Sequence, residues 1–153
     1  MIKGLGMNTL SLVKETIKLR DEGEDYEQVW CVFDLDSFPK QNFEKAMQLA
    51  KIENIRVAYS NEAFEIWYLL HFDYPQAAMD RDQYKDILTT KLHKKYKKND
   101  EDIYHDLFNK QNVALTNAKR LLSEDHESHI NCSKKNPSTT VHELVIELNK
   151  YVR

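Results

Sequence analysis

Glycine and proline are both scarce in this chain, three of each among 153 residues. The prolines act as punctuation: Pro39, Pro75 and Pro137 each stand where one residue pattern stops and another starts. Cysteine is scarcer still. Cys31 falls in an apolar run and Cys132 in a polar stretch, which makes no disulfide framework. No apolar run approaches the roughly 20 residues that span a bilayer. Met1-Ile2-Lys3-Gly4 is followed by no apolar segment of the kind a signal peptide needs. A basic surplus is also missing. The formal net charge is −3, so any contact with nucleic acid must be local or assisted by a metal. These absences predict a cytoplasmic protein with no membrane segment.

What is present is enough for one globular domain. The hydrophobic set makes up 41% and charged residues 31%, which supports a real core rather than a disordered chain. Asn8-Thr9 ahead of "LSLVKETIKLRDEG" reads as a capped amphipathic helix with Leu10, Val13, Ile17 and Leu12 inward, ended by Gly23. Residues 28 to 33 read as a strand too apolar to have a wet face, as in a sheet covered on both sides. "QNFEKAMQLAK" is a crossover helix burying Phe43, Ala46, Met47 and Ala50, and "IRVAYS" is a second strand. Together these make a right-handed βαβ unit.

"SNEAFEIWYLLHF" follows as a helix apolar nearly all round, with Phe64, Trp67 and Leu70 expected in the core. After Pro75, residues 80 to 95, 100 to 109, 112 to 124 and 139 to 152 read as polar amphipathic helices. The expected architecture is therefore α/β, a small parallel sheet with flanking helices over 1–73 and a helical part over 74–153. A short third strand at residues 1 to 4 would enlarge the sheet. A sheet this small exposes an edge or an apolar face, which predicts self-association.

The chemistry concentrates where the first strand ends. "VFDLDSF" sets Asp34 and Asp36 one residue apart, beyond the carboxyl end of a strand, where open parallel sheets bind ligands. Side chains at i and i+2 share a face, and two such carboxylates suit Mg²⁺ or Mn²⁺. The plain alternative has Asp36 capping a turn and Asp34 solvated. The second strand ends in Ser60, Asn61 and Glu62, where Ser60 or Asn61 would cap the next helix and Glu62 would favour its N-terminus. Glu65 lies among Phe64, Ile66, Trp67 and Leu69, so it needs a partner. It either faces the aspartate crevice or pairs with a lysine of the helical part. His71 ends the same helix, a favourable place for an imidazole on dipole grounds alone.

Four weaker patterns complete the inventory. "GLGMNT" at 4 to 9 reads as a plain turn before a helix rather than an anion cradle. In "NPSTTVHELV", Thr140 and Glu143 have the spacing of a capping box, while Asn136, Ser138 and Thr139 could reach a phosphate. "HESHINC" spaces His126, His129 and Cys132 for zinc but offers three ligands where a structural site wants four. "KLHKKYKK" combines five lysines with Tyr96, and reads as a solvated helix end more readily than as a nucleic-acid track.

Two families are suggested by these motifs. A strand ending in Asp-x-Asp with a later strand ending in Ser resembles the haloacid-dehalogenase phosphatases through Asp34, Asp36 and Ser60. Phe38, however, stands where that family places Thr or Val, and no later Gly-Asp-x-x-x-Asp motif follows. The fuller match runs through "GLGMNTLSLV", "VWCVFDLDSF", "AYSNEAFEIWYLLHF" and "NPSTTVHELVIEL", in that order. These resemble the RloB-like family of bacterial proteins associated with phage defence and abortive infection. That resemblance implies a Toprim-like fold and metal-dependent phosphodiester cleavage, with Asp34 and Asp36 as the metal pair and nucleic acid as substrate. Glu65 and His71 fall inside the matching aromatic motif, and a protein partner in a defence system is also implied. A non-catalytic interaction module of such a complex is the alternative. Toprim chemistry also draws on a glutamate from a strand ahead of the aspartates, and the family's Glu-Gly-Glu segment has no match here. The resemblance therefore implies metal binding with slow cleavage, and a gain of about 10²–10⁴ on restoring such a segment.

Overall fold

The first helix begins where its cap dictates. In the computed structural model, which describes residues 2–23, 25–35, 40–123 and 135–151, the Asn8 side chain accepts from the Ser11 amide at 3.0 Å and opens α1, Thr9–Asp21. Gly23 lies just past its end. A Cβ there would meet the Leu19 carbonyl and the Tyr26 ring at 2.9 Å, so close approach rather than an unusual φ selects glycine. After α1 come β1 (Trp30–Asp34), α2 (Lys40–Ile52) and β2 (Arg56–Asn61). The two strands are parallel, with Cys31 opposite Val57 and Asp34 opposite Ser60. α1 and α2 cover one face, where Val13, Cys31, Ala46, Ala50 and Ile55 form a cluster that Leu10, Leu12 and Ile17 extend. Phe43 continues this layer, with edge-to-face contacts to Phe33 at 5.8 Å and to Tyr59 at 5.4 Å.

The chain continues through α3 (Glu65–Leu69), α4 (Arg81–Lys91), α5 (Ile103–Phe108), α6 (Gln111–Ser123), β3 (Ser138–Thr139) and α7 (Val141–Asn149); β3 joins the sheet beside β2, and α3, α4, α6 and α7 pack on the opposite face. Ala58, Ile66, Trp67, Leu70, Tyr84, Leu88, Ala114, Ala118 and Val141 build the larger core here. Phe64 packs at its border, partly buried, while Trp67 and Leu70 are fully inside.

The structure corrects the sequence reading in four places. Residues 2 to 8 carry no strand, and the third strand is β3, antiparallel to β2. The sheet is thus mixed rather than purely parallel. β1 is also not covered on both sides, since Val32 is 42% exposed on the face opposite α1 and α2. Its apolar composition reflects strand propensity as much as burial. The aromatic helix is short because β2 runs on to Asn61 before α3 starts. The Thr140 capping box does not form. Its hydroxyl instead accepts from the Tyr59 amide at 3.0 Å and donates to the Val57 carbonyl at 3.3 Å, so the sheet claims the group that the helix end would have used.

Among the described residues, no helix is long and apolar enough to cross a membrane. β1 pairs with no second strand among these residues either.

Candidate functional site

The carboxyl ends of β1 and β2 lie side by side, fixed by the Leu35 amide donating to the Ser60 carbonyl at 2.8 Å. Asp34 closes β1 on the face shared with Ala58 and Val32, with its side chain about one quarter exposed. The Arg81 guanidinium, from the first turn of α4, stands 3.5 Å from its Oδ2. Asp36, Cys132 and the His126, His129 pair lie outside the described residues.

Ser60 and Asn61 do not cap α3. They turn toward the loop that brings β3 in: the Ser60 and Thr139 hydroxyls pair at 3.0 Å, and the Asn61 amide donates to the Lys135 carbonyl at 2.6 Å. Thr139 also donates to the Tyr59 carbonyl at 2.9 Å and accepts from the Val141 amide at 3.2 Å. Ser138 donates to the Lys135 carbonyl at 2.9 Å, and the Ser138 and Thr139 side chains are buried. Asn136 grips the chain ahead of α4 through both Met79 backbone groups, at 3.2 and 3.4 Å. The polar "NPSTT" segment therefore lies beside the strand ends. Buried polar groups here are satisfied by one another, which the two-residue strand makes possible.

Glu65 is 3% exposed, and its partner is a hydroxyl rather than a lysine: Tyr96 donates to Oε1 at 3.2 Å from the segment between α4 and α5. Burial, and after it the Glu65 charge, push the Tyr96 phenol well above its ordinary range. Tyr96 is thus buried, and it is no platform for stacking bases. Two of the five lysines around it are answered, Lys91 by Asp73 at 2.6 Å and Lys94 by Asp100 and Asp106 at 2.8 and 2.6 Å. This matches a helix end meeting acidic residues. Glu62 is half-buried and makes no hydrogen bond or ion pair among the described residues. Tyr84, three residues after Arg81 on α4, is fully buried, and its hydroxyl has no hydrogen-bond partner among the described residues.

His71 is buried, its Nδ1 2.9 Å from the Trp67 carbonyl and its ring edge-to-face with the Trp67 indole at 4.9 Å. Burial lowers its pKa, as it does for the buried His142 of α7. A base whose folded pKa lies below its unfolded value binds its proton more readily in the unfolded chain, so stability is full above about pH 6.5 and falls as the pH drops further. Urea unfolding at pH 7.5 and 5.5 should show this loss, at most about 1.4 kcal/mol per pH unit for each histidine. The His71→Gln variant should lose part of the slope. An unchanged slope would mean that His71 is not buried neutral.

The sequence reading singles out neither Arg81 nor Tyr84, and takes Tyr96 only as part of the "KLHKKYKK" segment. Only the 3- and 4-residue spacing of Arg81, Tyr84 and Leu88 hints at a shared α4 face, and nothing local says that the face meets Asp34.

Comparison with curated proteins and with solved structures yields no match. The family model described as RloB-like protein matches residues 2–148. With that match spanning the aspartate strand end, the Glu65 helix and the Ser138–Thr139 strand in one sweep, the chain belongs to the RloB-like family.

Proposed function

We propose that this chain is a Toprim-like, metal-dependent, phosphodiester-cleaving domain of a bacterial phage-defence or abortive-infection system. Asp34 carries the reading: a partly exposed carboxylate at the carboxyl end of a parallel strand pair, with a guanidinium at 3.5 Å. A strand-end carboxylate, with Asp36 two residues further along the chain, is the kind of oxygen donor that suits a hard divalent ion, although the described residues alone gather no group of three or more such ligands. Asp34 and Asp36 would hold Mg²⁺ or Mn²⁺. Once bound, such an ion stabilises negative charge on a transferring phosphoryl group. Arg81 supplies a fixed cation beside the same carboxylate and can pair with a phosphate oxygen of nucleic acid. Glu65, held by Tyr96, is shielded from solvent and acts as an accessory group rather than an open base.

Calorimetry with Mn²⁺ should show weak binding by the wild-type chain and none by Asp34→Asn/Asp36→Asn. Equal binding by the double variant would sink the reading. Incubation with supercoiled plasmid and Mn²⁺ then separates the classes. Nicking supports the nuclease reading, and binding without turnover supports an interaction module of a defence complex. Hydrolysis of a generic phosphomonoester would instead favour a phosphatase.

A further inference from the structure

We propose that the outer edge of β1 is a self-pairing surface, where two copies of this chain join antiparallel about a two-fold axis at Val32. This surface is independent of the cation reading above. The hydrogen-bond alternation of the parallel strand pair exposes it. The Val29 carbonyl accepts from the Arg56 amide at 2.9 Å, and the Leu35 amide donates to the Ser60 carbonyl at 2.8 Å. Backbone groups alternate sides along a strand, so the odd-numbered residues of β1 turn theirs toward β2. The N–H and C=O groups of Trp30 and Val32 turn outward and meet no partner among the described residues. A strand edge in this state is a template for another strand.

Nothing in the strand blunts that template. Trp30-Cys31-Val32-Phe33 contains no lysine, proline or glycine, and its pairing with β2 runs through consecutive positions without a bulge. Val32 itself is 42% exposed, although it is apolar and β-branched. Symmetry identifies the occupant. An antiparallel two-fold at the middle residue overlaps all five positions of both strands, with Val32 facing Val32. Since the Val32 N–H and C=O point outward, the two valines form a reciprocally hydrogen-bonded pair, about 5.5 Å apart at Cα. Parallel pairing offsets the outward residues by one position, so it is no exact two-fold. Charge selects the same register. Trp30, with the Arg56 guanidinium 5.3 Å from its ring centre, falls opposite the second copy's Asp34, whereas an axis at Asp34 would oppose two like charges. The axis stands perpendicular to the sheet. It therefore keeps α1 and α2 of both copies on one face and brings the two Val32 side chains together on the other. Such a contact is small, so association is reversible and depends on concentration.

The test follows the mass of the full chain by sedimentation velocity over a concentration series. The wild type should move from 18.1 kDa toward twice that mass as concentration rises. Val32→Lys sets two like charges at the axis and should weaken the dimer about tenfold, with the Tm of the dilute monomer close to wild type. Val32→Cys reads the register, because Cα atoms about 5.5 Å apart suit a disulfide. Mild oxidation should convert this variant to a covalent dimer, while the wild type and Tyr104→Cys, altered at an exposed site on α5, stay largely uncrosslinked. The crosslink carries the test alone if Val32→Lys does not fold. A wild type that stays at 18.1 kDa throughout would overturn the proposal. A dimer that Val32→Lys leaves intact, or crosslinking of Val32→Cys no better than that of Tyr104→Cys, would overturn it too, by assigning association to another surface.

Discussion

Replacing Trp67 with alanine is expected to cost about 3–5 kcal/mol of folding stability. Trp67 is 6% exposed on α3, in the larger core with Ile66, Leu70, Tyr84 and Leu88 around the same volume. Truncation removes the indole's burial and leaves a cavity that the surrounding helices close only in part, since each is anchored elsewhere. The edge-to-face contact with His71 disappears too, leaving that imidazole with a gap beside its ring. For a domain of this size the loss corresponds to a Tm lower by about 6–20 °C. Tyr104→Ala is the control: Tyr104 is 61% exposed on α5, and its removal should move Tm by no more than a degree or two. A Trp67→Ala protein that melts with the wild type would mean that α3 is a surface element.

The second large effect is expected at Thr139, through polar rather than apolar loss. One buried hydroxyl there donates to the Tyr59 carbonyl, pairs with Ser60 and accepts from the Val141 amide. Thr139→Val keeps the shape and removes all three links, leaving the Val141 amide and the Ser60 hydroxyl unsatisfied out of reach of water, while the Tyr59 carbonyl keeps the Thr140 amide at 2.9 Å. Each such group costs about 1–3 kcal/mol, and part of this is recovered as neighbours relax, so a total of about 2–4 kcal/mol is expected. Thr139→Ser keeps the hydroxyl and loses one methyl, at a cost of about 1 kcal/mol. Chemical denaturation of the three proteins measures the order directly. If valine proves as mild as serine, the hydroxyl network contributes little, and β3 is held by its backbone bonds.

Most of the front half was legible because its signals are local. The Asn8 cap, the inward row Phe43, Ala46, Ala50 on α2, and the strand–helix–strand rhythm around them depend only on periods of 3.6 and 2 and on short-range hydrogen bonds. The position of Asp34 followed from the same logic, since a strand's end is where its apolar run stops. The later helices were legible in number and kind but ran long in the reading. α4 closes at Lys91, four residues short of the expected end.

What the tertiary structure alone decided is the pairing between distant segments. β3 has two residues, too few for alternation to register, and exists because Ser138 and Thr139 meet the end of β2 some 80 residues earlier. Ser60, Asn61 and Thr140 each had a sound local use as helix caps, and each was claimed instead by a partner across the fold. Glu65 plainly needed a partner, but a sequence says nothing about whether a lysine or a tyrosine hydroxyl will arrive beside it. The meeting of Asp34 with Arg81 is of the same kind. Local propensity selects the elements and the residue types at their ends. Which of several chemically equivalent partners fills a site depends on how the elements dock, and that is settled by burial summed over the whole chain.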